Sequence, residues 1–114
     1  MEEELKELIE ETLNIPCELD TGAMVFPGAT VEEYLRNPEA YGDGQPEEIV
    51  SYITINLYYP KRKERNAAVD KLVPKLVAAG YLYPTDERYY DTEARKYRAV
   101  LSTSKIGGKQ NGEN

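Results

Sequence analysis

Between Glu47 and Gly80 a strand-period run passes directly into the longest helix-period run of the chain, and this junction limits the available folds more than any other stretch. From Ile49 to Tyr59 one set of alternate residues reads Ile49, Ser51, Ile53, Ile55, Leu57, Tyr59, and the other reads Val50, Tyr52, Thr54, Asn56, Tyr58. Period two, with one face the more apolar, predicts a half-buried strand. Pro60 has no amide hydrogen to give a ladder, so it marks the end. Beyond it Ala68, Val69, Leu72, Val73, Leu76 and Val77 recur at helical spacing, with Asp70, Lys71 and Lys75 opposite and Gly80 as a left-handed stop. The spacing predicts an amphipathic helix lying on a sheet. Pro74 falls inside that helix, where its ring meets the carbonyl of Asp70, and predicts a kink or a division of the helix near 70–73.

The flanking segments extend this pattern. Leu5, Leu8, Ile9 and Leu13 make one stripe of a first helix over 2–13, with Glu2, Glu3 and Glu4 in the turn where the helix dipole favours negative charge. Asn14 and the Ile15-Pro16 pair end it. Cys17 then reads as a small core residue, since no neighbour in the sequence would lower its pKa. Ala23-Met24-Val25-Phe26 between Gly22 and Pro27-Gly28 reads as a short buried strand. Thr30, with Glu33 three residues on, matches a capping box and predicts a helical turn through Leu35 that Asn37-Pro38 stops. Residues 38–46, rich in Pro, Gly, Asp and Tyr, predict an irregular excursion between the first two strands, of the functional or mobile kind. After Gly80, Tyr81-Leu82-Tyr83-Pro84 predicts the start of a strand that resumes at Tyr89-Tyr90, and 89–104 predicts a hairpin turning at Asp91-Thr92-Glu93. Residues 107–114 contain no apolar side chain and predict a disordered tail.

The expected fold is therefore α+β, a two-layer sandwich with helices on one face of a mainly antiparallel sheet, formed by one domain over residues 1–106. Seven tyrosines, Tyr52, Tyr58, Tyr81, Tyr83, Tyr89, Tyr90 and Tyr97, cannot all lie under two helices. Several must stand on the open face or at strand ends, where an apolar ring with a polar tip suits an interface.

Composition narrows the chemistry. The chain has one cysteine and no histidine, which removes disulfides within the chain, multi-cysteine metal sites, histidine-ligated zinc and every catalytic group built on histidine. Carboxylate chemistry alone remains for an enzyme. Its strongest form would set Asp86, Glu87 and Asp91 around a divalent metal, while the plainer reading of the three is a solvated acidic loop. A formal charge of −7 disfavours a nucleic-acid backbone as partner. The one basic cluster, Lys61, Arg62, Lys63 and Arg65, reads as solvated surface at a helix start. No apolar run reaches the ~20 residues that span a bilayer, and the acidic start is the reverse of a signal peptide, so a cytoplasmic protein without cofactors is expected.

Three pieces together resemble the small tail-terminator, tail-completion or head-tail joining proteins of long-tailed phages and prophages. They are Leu13-Asn14-Ile15-Pro16-Cys17 after an opening helix, Ile53-Thr54-Ile55-Asn56-Leu57-Tyr58 before a long helix ending Leu76-Val77-Ala78-Ala79-Gly80-Tyr81, and Tyr89-Tyr90-Asp91-Thr92 ahead of Tyr97-Arg98-Ala99-Val100-Leu101. The resemblance covers roughly residues 5–106 and departs at Glu93-Ala94-Arg95, where the family more often has a glycine-centred turn, and at Arg98, where histidine is common. It implies a non-enzymatic virion assembly protein that forms a hexameric ring with copies of itself, caps the tail-tube protein and meets a head-completion or connector protein. The implied location is the host bacterial cytoplasm during assembly and then the head-tail junction, with no membrane and no sequence-specific nucleic acid. The expected assembly residues are Tyr41, Asp43, Tyr52, Tyr58, Tyr89, Tyr90, Asp91, Glu93 and Arg95. Another connector subunit of the same junction, or a non-phage α+β adaptor module, would share the fold and the interface tyrosines.

Overall fold

A computed structural model describes residues 2–19, 26–41 and 45–106, and of residues 35–48 only the backbone. The expected strand Ala23–Phe26, apart from Phe26 in a bend, and the expected disordered tail lie outside the described residues. The chain runs α1 (Glu2–Leu13), β1 (Cys17–Glu18), β2 (Gly28–Tyr41), β3 (Gln45–Tyr59), α2 (Arg62–Ala78), β4 (Thr85–Asp91) and β5 (Lys96–Ile106). The strands form one sheet in the order β1-β2-β3-β5-β4, antiparallel except for the short β1–β2 pairing. Both helices pack on one face of this sheet, and the architecture is the α+β two-layer sandwich. No helix among the described residues is long and apolar enough to cross a membrane.

The central junction forms as its periodicity predicts. Ile53, Ile55 and Leu57 of β3 are fully buried, and Ala68, Val69, Leu72, Val73 and Leu76 of α2 close over them together with Ala99 and Leu101 of β5. α2 continues unbroken through Pro74. It ends in a Schellman motif: the Tyr81 amide donates to Leu76 O and the Gly80 amide to Val77 O, each at 3.0 Å, with Gly80 at φ 100°. Leu76 and the ring of Tyr81 are both buried at that turn, the apolar contact that accompanies the motif.

α1 buries Leu5 and Ile9 and stops at Asn14, whose φ of 57° is the left-handed position that asparagine tolerates. Glu10 ties the helix to β1, because its Oε2 accepts from the Cys17 amide and from Lys6 Nζ, each at 3.1 Å. Those two donors hold the Glu10 carboxyl below its usual range, Lys6 first. Cys17 is buried, and burial, reinforced by the Glu10 charge, pushes its thiol up to about 12. The thiol stays protonated and packs as a small apolar group.

Three local expectations are corrected. The stretch Thr30–Leu35 is strand, not a capped helical turn. Ala29 and Val31 alternate into the core, residues 28–33 pair in register with Tyr58–Ile53, and Thr30 Oγ1 accepts from Asn56 Nδ2 at 3.1 Å instead of capping an amide. A short capping signal loses here to cross-strand pairing and burial, as local propensities commonly do. Of the expected irregular excursion over 38–46, Pro38–Tyr41 instead continue β2 and Gln45–Pro46 begin β3, with Tyr41 opposite Gln45, while 42–44 lie outside the described residues. Both prolines are tolerated because, among the described residues, each strand has a neighbour on one side only at that point, β1 pairing with β2 at Ala29 and Thr30 and β5 first pairing with β3 at Val50. Finally, Tyr81–Pro84 is not strand. Leu82 hangs on β5 through its amide to Ser104 O at 2.9 Å and its carbonyl from the Thr103 hydroxyl, and β4 begins at Thr85.

The described body is long, 51 × 26 × 22 Å, with a radius of gyration of 15.3 Å. A compact chain of 100 residues has about 13 Å. The excess matches the β2–β3 pair, which runs on past the end of β5.

Candidate interaction surface

Residues directly opposite across antiparallel strands share a face, so the buried set Ile53, Ile55 and Leu57 fixes the facing of the whole sheet. On the face without helices, Tyr58 of β3, Arg98 of β5 and Tyr89 of β4 stand side by side in register. The Arg98 guanidinium lies 5.1 Å from the Tyr58 ring centroid and 5.5 Å from that of Tyr89. Phe26 extends the row, edge-on to Tyr58 at 5.6 Å, and Lys96 Nζ sits 4.9 Å from the Phe26 ring. Aromatic faces and cations attract through the ring quadrupole, which gives the row a fixed order.

Hydrogen bonds pin Arg98 further. Nε and Nη2 donate to Asn56 Oδ1 at 3.1 and 2.7 Å, and Nη1 donates to Asp91 Oδ2 at 3.1 Å. Asp91 spends its other oxygen on the β4–β5 turn, where Oδ1 accepts from the Glu93 and Ala94 amides at 3.0 Å. The Ala94 amide, with Arg98 and the Glu93 amide behind it, holds the Asp91 carboxyl below its usual range. Thr30, Asn56, Arg98 and Asp91 thus form one polar chain across four strands. It stiffens the open face and joins it to the turn.

The sequence-predicted assembly residues divide into groups. Tyr58, Tyr89 and Asp91 converge on Arg98. Tyr52 lies on the same face some distance along β3, where it meets Tyr34 at 6.3 Å between centroids. Tyr90 does not join them: opposite Tyr97 and packed edge-on to it at 4.9 Å, it is on the helix side of the sheet. Glu93 and Arg95 are exposed in the turn, and Arg95 takes φ 57°, filling with an arginine the left-handed position for which glycine is suited. Tyr41 is in β2, and Asp43 lies outside the described residues.

Two residues escaped sequence reasoning. Tyr34 alternates with Val31 and Glu33 and so stands on the open face, where its ring meets Tyr52, and the reading of Thr30–Leu35 as a helical turn hid it; the bulge between Glu33 and Leu35 falls at this residue. Arg98 was visible only as a departure from the family pattern, although its alternation with Tyr97 and Ala99 already placed it on the open face.

The acidic trio does not come together. Asp86 lies on the helix side and chelates Arg88, with contacts from Nε at 3.1 Å and from Nη2 at 2.7 Å. Glu87 and Asp91 share the other face but stand four residues apart along β4, about 13 Å at strand rise. Among the described residues no group of three acidic, cysteine or histidine side chains could hold a metal.

No protein-family model matches the chain, and no curated protein sequence matches it.

Proposed function

We propose that the protein is a non-enzymatic assembly protein of a phage or prophage, which joins copies of itself into a ring on the end of a tail tube and presents that ring to the head. The observation that carries this reading is a sheet that, among the described residues, is uncovered on one face and open at both edges. β4 ends the sheet on one side, and on the other β1 protects only Ala29 and Thr30 of β2. Unpaired strand edges are liabilities in a protein that works alone and docking sites in one that assembles. The pinned row Tyr58–Arg98–Tyr89, with Tyr34 and Tyr52 beside it, supplies rigid aromatic surface of the kind interfaces use. The elongated β2–β3 pair gives a subunit the reach to touch a neighbour. The ring is a hexamer in this reading, and the protein acts in the bacterial cytoplasm and then at the head-tail junction.

Electron microscopy of tail tubes polymerised with and without the protein tests the proposal. Tubes of limited length bearing a ring at one end are expected when it is present, and overlong uncapped tubes when it is absent. Tubes of unchanged length and bare ends in its presence would remove the reading.

A further inference from the structure

On the helix side, away from the row of tyrosines, α2 and β4 are separated by a groove of about 510 Å³. Its walls are mostly apolar: Val69, Val73, Pro74 and Val77 from α2, with Tyr83 and Pro84 leading into β4. Val77 is 44% exposed and Tyr83 78% exposed, so the apolar stripe of α2 continues past the sheet without anything to cover it. One rim of the groove is β4, the last strand of the sheet, with its outer backbone edge unpaired among the described residues.

The end of the groove at Arg88 carries an imbalance of charge. Arg65, on the first turn of α2, is only 6% exposed, yet its guanidinium has no carboxylate partner among the described residues. Its Nε and Nη2 both donate to Asn66 Oδ1, at 3.0 and 2.9 Å, and Arg88 Nη1 donates to the same oxygen at 3.0 Å. Three N–H groups of two cations therefore share one neutral amide oxygen, which has two lone pairs. Asp86 is occupied by the rest of Arg88, and Asp70 is exposed at the rim. Burial and the charges of Arg88 and Arg62 make the Arg65 cation less comfortable still, lowering its pKa. Lys61, Arg62 and Lys63 are exposed on the same end of the helix, with Glu64 the one acid among them. In a chain of net charge −7 this is a local reversal, and it corrects the expectation that the whole cluster is solvated surface.

We propose that the groove between α2 and β4 binds an extended segment of a partner protein, with apolar side chains at alternate positions and an aspartate or glutamate at the end that meets Arg88. The free edge of β4 supplies main-chain hydrogen bonds to such a segment, every second side chain of which points into the groove. The carboxylate supplies a charged acceptor to Arg88, which otherwise shares the Asn66 oxygen with Arg65, a charge-assisted contact of the strong kind. A small amphipathic acid would fill the groove but leave the edge unused, which is why the occupant is a strand. The inference rests on the helix-side groove and the β4 edge and does not depend on the phage reading.

Selection of a displayed random octapeptide library on the immobilised full-length protein tests it. Enriched sequences are expected to alternate apolar residues and to carry Asp or Glu near one end. Synthetic versions should bind about tenfold or more weakly when Asn or Gln replaces the acid, and likewise to Arg88→Gln and to Val77→Asp protein whose circular dichroism is unchanged. Amide exchange over 85–91 should slow in the complex. Failure to enrich any sequence, enrichment of neutral ones, equal affinity for both variants, or protection confined to β2 and β3 would each overturn the proposal.

Discussion

The two faces of β3 belong to one strand and differ in almost everything else. Ile53, Ile55 and Leu57 point into the helices and are wholly buried, whereas Thr54, Asn56 and Tyr58 between them point away and carry hydroxyl, amide and phenol groups. The covered face holds the fold by burial, which is non-directional. The open face is organised by directed contacts around Arg98, which hold its exposed side chains in one arrangement. The same eleven-residue run of sequence therefore makes a foundation on one side and a prepared surface on the other.

Truncation on the covered face gives the largest expected effect. Ile55→Ala should cost about 2–5 kcal/mol, since the removed methyl groups leave a cavity that fixed neighbours cannot fill. Denaturant unfolding measures it. On the open face Arg98→Ala should cost less, about 1–3 kcal/mol, mostly because Asn56 Oδ1 is buried and would lose both of its donors. A cost for Arg98→Ala as large as for Ile55→Ala would erase the distinction between the faces.

The faces should also begin to fail at opposite ends of the pH scale. Cys17 and Tyr59, both buried on the covered side, are each raised to about 12 by burial. Unfolded, they titrate near about 8.5 and 10. A raised folded pKa gives stability that is complete below the unfolded value and disappears as pH rises through the folded one, so the alkaline loss beginning above about pH 8.5 starts on the covered face, and Tyr58 of the open face, raised by burial in the same direction, adds to it at higher pH. Asp91, on the open face, is lowered, and its contribution is present above about pH 3.9 and is lost as pH falls through the folded value. Glu10 adds to the acid loss from the helix side, so Asp91→Asn and Glu10→Gln separate the two sources. Unfolding midpoints across pH check both signs. Native Cys17 should also resist alkylation by iodoacetamide at pH 8, being protonated and buried.

Smallest is the turn. Arg95→Gly relieves a left-handed residue while adding freedom to the unfolded chain, two effects of about 1 kcal/mol and opposite sign, so the midpoint should move by less than about 1 kcal/mol. A larger loss would mean that the Arg95 side chain itself holds the hairpin.

What the sequence made legible follows from how periodicity works. Where burial is one-sided and uninterrupted, as in 49–59 and 68–77, spacing alone predicts element, face and core. It misplaced Thr30–Leu35, because six residues satisfy a capping box and a strand equally well until a partner strand is known. It misplaced 38–46, because proline and glycine report a missing donor or a loose backbone without saying whether a neighbour strand needs one. It read Arg65 as surface by its neighbours Arg62 and Lys63, when the helical turn that exposes those two carries Arg65 inward. Of the surface, tyrosines revealed that an open face exists, while the arginine that orders them became visible only through strand register.

The most direct test of a fold built on one face and an interface built on the other is a pair of measurements on Tyr34→Ser/Tyr89→Ser protein. Both rings are exposed and neither hydroxyl enters the Asn56–Arg98–Asp91 hydrogen bonds. Unfolding free energy should fall by about 1 kcal/mol or less, mainly from the lost ring beside Arg98, while co-sedimentation with polymerised tail tubes weakens tenfold or more, about 1.4 kcal/mol or above. Full association with the tube, together with a stability loss of several kcal/mol, would contradict the account.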